Sequence, residues 1–317
     1  MAVIRVGLVG IGKVARDQHI PVLRANPDFE LVACTSRNNR VDGVANFTTV
    51  EQMLADCSEL DAVAVCSPPQ VHYEAAKCAL LAGRHVFMEK PPCTTTAELG
   101  RLTELARVHK QTFFQTWHMR YSPRVDDAER WLKGRKILGA RIVWKEDVRH
   151  WHPGQSWIFQ AGGFGVFDPG INAISVLTKI LPEPVFVESA EHFVPENCQA
   201  PIAANLVLRT DSGARISAAF DFLYTGETIW DIEVETDAGT LTLSFTDFVL
   251  SIDGRQLEFP PHKDGAYVEY ASLYRRFAEL IAARESEIDA TPFRLVADAF
   301  LAGKRTPVAR FEEKNWL

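Results

Sequence analysis

The stretch GLVGIGKVA, residues 7–15, decides how the rest of the chain is read. It closes an apolar run and contains Gly10-x-Gly12-x-x-Ala15. The first glycine permits a tight turn, and the second lets the backbone approach a pyrophosphate. A small third residue lets the following helix pack closely on the strand. The N–H groups that open that helix, at Lys13 and Val14, would face the phosphates from the positive end of the helix dipole. The pattern is short enough to arise by chance. Its place in the first fifteen residues, inside a strand–helix–strand rhythm, makes dinucleotide binding the expectation.

Working outward, the strands VIRVGLVG, FELVACTS, LDAVAVCSPP, HVFMEKPP and TFFQTW alternate with helical patterns. The helices are expected over 14–25 and in TVEQMLAD, VHYEAAKCALLAG (closed by Gly83) and TTAELGRLTELARVHK. This alternation predicts a parallel, doubly wound sheet with helices on both faces, over residues 1–120. After residue 120 the rhythm changes. VDDAERWLKG and PGINAISVLTKILP read as helices, and ARIVWKEDVRHW as a strand. From about 185 to 260 come alternating strands with turn signals at Asp211-Ser212-Gly213 and Asp253-Gly254. In WDIEVET, Ile232 and Val234 alternate with Glu233 and Glu235, so that strand shows one wet face. The helices YVEYASLYRRFAELIAAR and FRLVADAFLAG close the chain. The fold class is α/β: a Rossmann domain, then an α+β domain over 121–317 with a large, open, mainly antiparallel sheet. The last helices are expected to pack back on the first domain.

Composition excludes several function classes. The 317 residues are 47% hydrophobic and 24% charged, with a formal net charge of −7 and no run of basic residues. No nucleic-acid partner is expected. Cysteines 34, 57, 66, 78, 93 and 198 form no C-x-x-C pair, so neither a disulfide scaffold nor a zinc knuckle is expected. The start lacks the pattern of a signal peptide, and no run approaches the ~18 apolar residues of a membrane span. A soluble, cytoplasmic protein with no membrane partner is the expectation.

The second strand ends with Ser36 and Arg37 where an NAD-specific site usually carries an acid for the ribose 2′-OH. A hydroxyl and a guanidinium suit a 2′-phosphate better, so NADP is the expected preference, with NAD accepted as well. FMEKPP puts Lys90 at a strand end, the edge where open α/β sheets bind ligands, and a proline follows that can turn the chain.

Together GLVGIGKVA, CSPPQVHYEAA, HVFMEKPP and GGFGVFDPGIN resemble the glucose–fructose oxidoreductase, inositol dehydrogenase and MocA (Gfo/Idh/MocA) family, and the resemblance covers essentially the whole chain. It implies NAD(P)-linked oxidation or reduction of sugars and polyols. It also implies that Glu89-Lys90-Pro91 is the signature motif, with Lys90 reaching both nicotinamide and substrate hydroxyl. Ser67, Pro68 and His72 would lie in the cofactor-contacting loop. The family motif Asp-x-Gly-x-His is here Asp168-Pro169-Gly170-Ile171-Asn172. A carboxamide cannot take a proton at neutral pH, so Asn172 would orient the substrate and the base would be Asp168, Lys90 or a water between them. Unaided, Asp168 before Pro169 also reads as a helix N-cap. The asparagine variant resembles the branch that oxidises aldoses at C1 to lactones, the L-arabinose and D-galactose 1-dehydrogenases.

For the sugar hydroxyls and C–H faces, the candidates are Glu146, Trp151 and His152 in KEDVRHWHPGQSW, and His118 in WHMRY. His150-x-His152 lacks a third ligand at useful spacing, so no metal is expected. The alternatives are another oxidoreductase of the family, acting on inositols, diols or keto-sugars, and a non-enzymatic NADP-binding regulator. A homodimer through the second domain's sheet is the expected assembly.

Overall fold

The computed structural model describes residues 2–259 and 268–312, arranged as two compact units. The first comprises Met1–His118 with Lys263–Ala290, the second Met119–His262 with Thr291–Leu317.

In the first unit, β1 (Ile4–Val9), β2 (Phe29–Thr35), β3 (Ala45–Phe47), β4 (Ala62–Val65), β5 (His85–Met88) and β6 (Phe113–Gln115) form one sheet in the order β3-β2-β1-β4-β5-β6. Every pairing is parallel. All four residues of β4 are buried, as a strand covered on both faces requires. A wide π-type turn through Ala15–His19 precedes α1 (Ile20–Ala25). The sequence pattern had implied an uninterrupted helix there, and the π turn ends with His19 fully buried. The crossovers continue with α2 (Val50–Asp56), α3 (His72–Leu81) and α4 (Thr96–His109). Thr95 and Glu98 close a capping box on α4, and Gly83 takes a left-handed φ of 73° after α3. The order of strands reverses between β1 and β4, where open sheets of this kind bind ligands at their carboxyl ends.

The second unit opens with α5 (Val125–Leu132) and β7 (Ile137–Lys145). ARIVWKEDVRHW is not one strand: the ladder ends at Lys145, Asp147 caps the next turn by accepting from Arg149 N–H, and α6 (Val148–Trp151) follows. Next come α7 (Phe167–Ile180) and β8 (Val185–Pro195), β9 (Ala203–Thr210), β10 (Arg215–Asp221), β11 (Ile229–Thr236), β12 (Gly239–Ser244), β13 (Val249–Ile252) and β14 (Arg255–Gln256). α8 (Val268–Ala283) counts with the first unit; Tyr267, where the sequence pattern starts that helix, lies outside the described residues. α9 (Thr291–Ala302) and β15 (Gly303–Val308) complete the second unit. Its nine-stranded sheet runs β14-β13-β12-β11-β7-β10-β9-β8-β15 and is mixed, because β7–β10 and β8–β15 pair in parallel. β15 was not anticipated: Lys304, Arg305 and Pro307 give it the composition of a protected edge rather than of a buried strand.

α7 is the second unit's central helix, and twelve of its fourteen residues are buried. Phe167 packs against Phe220 and Phe300 with ring centroids 5.7 and 5.1 Å apart. In the first unit α8 lays Tyr274 and Phe277 on Phe29, Phe87 and Phe114. Among the described residues no helix is long and apolar enough to cross a membrane, and all six cysteines are free.

Buried between Phe167 and Phe300, His192 on β8 has its Nε2 without a partner among the described residues. Burial pushes its pKa below the ordinary histidine value. The folded chain therefore refuses a proton that the unfolded chain accepts near pH 6.5, and this erodes stability as pH falls below that value. Urea unfolding at pH 7 and pH 5 should show a smaller acid loss of midpoint for His192→Leu than for the parent chain. An equal loss in both would assign the acid sensitivity to other groups.

Candidate active site

The carboxyl edge of the first sheet gathers most of the residues singled out above. Gly10 sits at φ 90°, and a Cβ there would meet the Ser67 Cα and N at 2.6 Å, so the turn after β1 excludes every other residue. A Cβ on Gly12 would meet nothing within 4 Å, which leaves open space beside the turn that starts at Lys13 and Val14. Lys13 pairs with Asp17 on the same turn. Ser67 Oγ, at the end of β4, is buried with no partner among the described residues. A constrained glycine turn, room beside the second glycine and an orphaned hydroxyl fit a dinucleotide phosphate.

Ser36 Oγ accepts from Asn39 N–H at 3.1 Å, and the Asn39 carboxamide donates to the Ile11 carbonyl at 2.8 Å. The loop after β2 is thereby tied to the phosphate turn, with Arg37 exposed at its tip. Pro68 precedes the short turn Pro69–Val71 that leads into His72. His72 itself is fully buried, and its ring nitrogens face the carbonyls of Ser67, Pro91 and Pro92. It braces the loop to the Glu89-Lys90-Pro91 segment and has no surface to offer a ligand. The Lys90–Pro91 bond is cis.

Glu89 is also enclosed, at 3% exposure. Its Oε1 accepts from His19 Nε2 at 3.0 Å and its Oε2 from the Lys90 N–H at 3.0 Å. Burial pushes its pKa up, but the hydrogen bond from His19 and the electrostatic pull of His19, His118 and Lys90 outweigh it and hold the carboxyl at about 2. His118, in the turn His118–Tyr121 after β6, stacks on Tyr270 with centroids 5.7 Å apart. His19 and Tyr270 were not singled out from sequence; both are far from the motif along the chain.

The second unit holds a separate polar cluster. Gly163 and Gly165 let the chain pass where a Cβ would lie 2.3 Å from the Ile158 carbonyl and 2.1 Å from that of Pro201. This starts α7 at Phe167, so Asp168 sits in the first turn instead of capping the helix, and its carboxylate is spared for other partners. Asp168 and Asn172 share one face, four residues apart. Asn172 is 8% exposed, and its Oδ1 has no hydrogen-bond partner among the described residues.

β7 delivers Glu146, 2% exposed, which accepts from Trp230 Nε1 at 2.8 Å. His152, just past α6, lies between the two acids: Nε2 is 3.5 Å from Glu146 Oε1, and Nδ1 is 4.0 Å from Asp168 Oδ2. Asp168, Asn172, His152 and Glu146 thus come together as one cluster. Trp151 and Trp144 flank Trp230 with centroids 5.0 and 5.4 Å away. Trp230 had gone unnoticed; only the register of β11 on β7, which sets Trp230 opposite Trp144, brings it to Glu146. His150 packs edge-to-face with Trp151, ring centroids 5.0 Å apart, and no group of three metal-ligating residues occurs among the described residues. Carboxylates, a carboxamide and an imidazole beside indole faces suit a small polyhydroxylated ligand.

Comparison with known proteins adds a family. Residues 4–116 match the model of an oxidoreductase family with an NAD-binding Rossmann fold. The chain is 43% identical to the galactose 1-dehydrogenase of Pseudomonas fluorescens over 311 residues, 98% of this chain and 99% of that one. The crystal structure of D-galactose-1-dehydrogenase from Rhizobium etli is 50% identical, with a TM-score of 0.91 over 98% of this chain and 99% of that one. A 3-ketoreductase from Actinomadura kijaniata, in complex with NADP and TDP-benzene, shares the fold at a TM-score of 0.82 and 21% identity, over 96% of this chain and 99% of that one. Similarity at the level of the Pseudomonas enzyme, over nearly the whole length of both chains, establishes kinship, and the chain belongs to the Gfo/Idh/MocA oxidoreductases.

Proposed function

We propose that this protein oxidises an aldose of the D-galactose or L-arabinose type at C1, giving the aldonolactone, with NADP⁺ preferred over NAD⁺. The observation that carries the reading is the face of α7 on which Asp168 stands one turn from Asn172, whose buried Oδ1 lacks a partner among the described residues. The galactose 1-dehydrogenase relatives support the substrate class.

The phosphate turn Gly10–Val14 and the Ser67 loop would hold the dinucleotide, with Ser36 and Arg37 at the ribose. Once bound, the oxidised nicotinamide supplies the acceptor for the hydride leaving C1. The residues of this chain handle the rest. Asp168 or Lys90 takes the C1 hydroxyl proton as the C1=O bond forms, and a cationic Lys90 would stabilise negative charge developing on that oxygen. Asn172 Oδ1 accepts a hydrogen bond from a sugar hydroxyl and takes no proton. Glu146 and His152 hold further hydroxyls, and Trp151 and Trp230 offer aromatic faces to the C–H surface. An anomeric hydroxyl is more acidic than an ordinary secondary alcohol, so a base weaker than the family's histidine suffices.

Initial rates with NADP⁺ and NAD⁺ across pentoses, hexoses, inositols and diols should show turnover of D-galactose or L-arabinose, with the lactone as product. Asp168→Ala and Lys90→Ala should each lose about 10²- to 10⁴-fold in kcat while still binding cofactor. Turnover confined to inositols or diols would refute oxidation at C1. Cofactor binding with silence on every substrate would point to a regulator.

Arg37→Ala should lower kcat/KM for NADP⁺ by roughly tenfold to a hundredfold, the worth of one hydrogen bond to a charged group, and leave the NAD⁺ value nearly unchanged. Equal losses with both cofactors would remove Arg37 from 2′-phosphate recognition.

A further inference from the structure

Behind Lys90 lies a hydrogen-bonded chain that the proposed chemistry does not use. Tyr274 hydroxyl and His19 Nδ1 are 2.8 Å apart, and His19 Nε2 lies 3.0 Å from Glu89 Oε1. An ionised carboxylate only accepts, so Nε2 carries the proton and, in the neutral ring, Nδ1 accepts from the Tyr274 O–H. The Lys90 N–H is the second donor to that carboxylate, on Oε2. The tyrosines and His19 are buried, and both phenols are pushed well above their ordinary pKa, first by burial, so both keep their protons.

Two features distinguish this chain from ordinary core satisfaction. One acceptor atom is spent on the backbone of Lys90 itself, so the carboxylate orients the lysine through its own peptide group. The Tyr270 ring also carries His118, stacked at 24° between planes, and meets the His19 ring at 4.9 Å. One side chain of α8 therefore touches the mounts of both Lys90 and His118.

We propose that Tyr274 is a positioning residue for the reaction, holding Glu89 against the Lys90 backbone through His19, with the Tyr270 ring packed on His19 and His118. The proposal rests on the reading of Lys90 as a participant in the reaction. Around Glu89 the charged and titratable groups are His19, Lys90, His118 and Tyr270, with Cys66, His72 and Tyr274 also within electrostatic reach. Loosening the His19 donor makes the carboxylate easier to protonate, and a protonated Glu89 can no longer accept from both His19 and the Lys90 N–H.

The experiment compares Tyr270→Phe and Tyr274→Phe with the parent chain and with Lys90→Ala. It measures kcat and KM against pH, the cofactor dissociation constant by fluorescence, and Tm. Tyr274→Phe should lose roughly tenfold to a hundredfold in kcat, the scale of an ångström-sized misplacement, with cofactor affinity unchanged. The acid limb of its kcat profile should move to higher pH. Tyr270→Phe, which keeps the ring on His19 and His118, should keep the parent kcat and acid limb. If Lys90→Ala is inactive while Tyr274→Phe keeps the parent kcat and acid limb, the proposal is overturned and the Lys90 reading stands. A fall in Tm with the acid limb unmoved would also overturn it, because it would mark a purely structural role. An active Lys90→Ala would overturn both.

Discussion

A buried, ionised carboxylate is the constraint on which the first unit's functional edge depends. Moving an unpaired carboxylate out of water costs several kcal/mol even after relaxation, so Glu89 can sit at the end of β5 only if donors arrive from elsewhere. They do: His19 from the wide turn behind the phosphate loop, itself met by Tyr274 of α8, and the peptide of Lys90 itself. These sources explain features that otherwise look unrelated. The π-type turn ends with His19 buried, and α8 counts with the first unit although strands β7–β14 of the second sheet lie between them in sequence. The aromatic stack of Phe29, Phe87, Tyr274 and Phe277 then supplies the apolar packing that surrounds this polar chain.

The second unit solves a different problem with the same economy of parts. Glycines at 163 and 165, pressed against carbonyls, start α7 early enough that Asp168 and Asn172 fall on one face with neither side chain used as a cap. Glu146 is equally buried but leans on a neutral donor, Trp230. His152 sits near both acids at distances longer than a firm hydrogen bond, so a hydroxyl can compete for each of its nitrogens.

Legibility in the sequence followed periodicity and local chemistry. The order of strands and helices through residue 117 could be read, apart from the three-residue edge strand β3, because each longer apolar run is bounded by a turn residue, and Gly10, Gly12 and Gly83 have roles set by their own backbone. Asp168, Asn172, Glu146 and His152 could be named because the motifs carrying them are short. What stayed hidden depends on distant pairing. Trp230 reaches Glu146 only through the β7–β11 register, and Tyr274 reaches His19 across 255 positions, for which no local pattern exists. β15 escaped because edge strands are built to look unlike strands. The start of α7 escaped because an Asp-Pro pair signals a cap locally, while the steric demands of Pro201 and Ile158 on two upstream glycines decide otherwise.

The asparagine at 172 ties the chemistry to these structural choices. A histidine there would serve as the proton acceptor and make the neighbouring acid an orienting group. On the proposed function the roles shift: Asn172 would hold a hydroxyl, and proton transfer would fall to Asp168 or Lys90. A carboxylate is a weaker base than an imidazole, so the exchange suits a substrate whose hydroxyl gives up its proton readily, as the hemiacetal oxygen of an aldose does. A lysine asked to assist must instead be held accurately, because a point charge on a flexible stem stabilises an oxyanion only from a defined position. On the proposed function, the backing of Lys90 by Glu89 and the asparagine at 172 would complement each other: the substrate's acidity lowers the demand on the base, and fixed geometry raises what the lysine contributes.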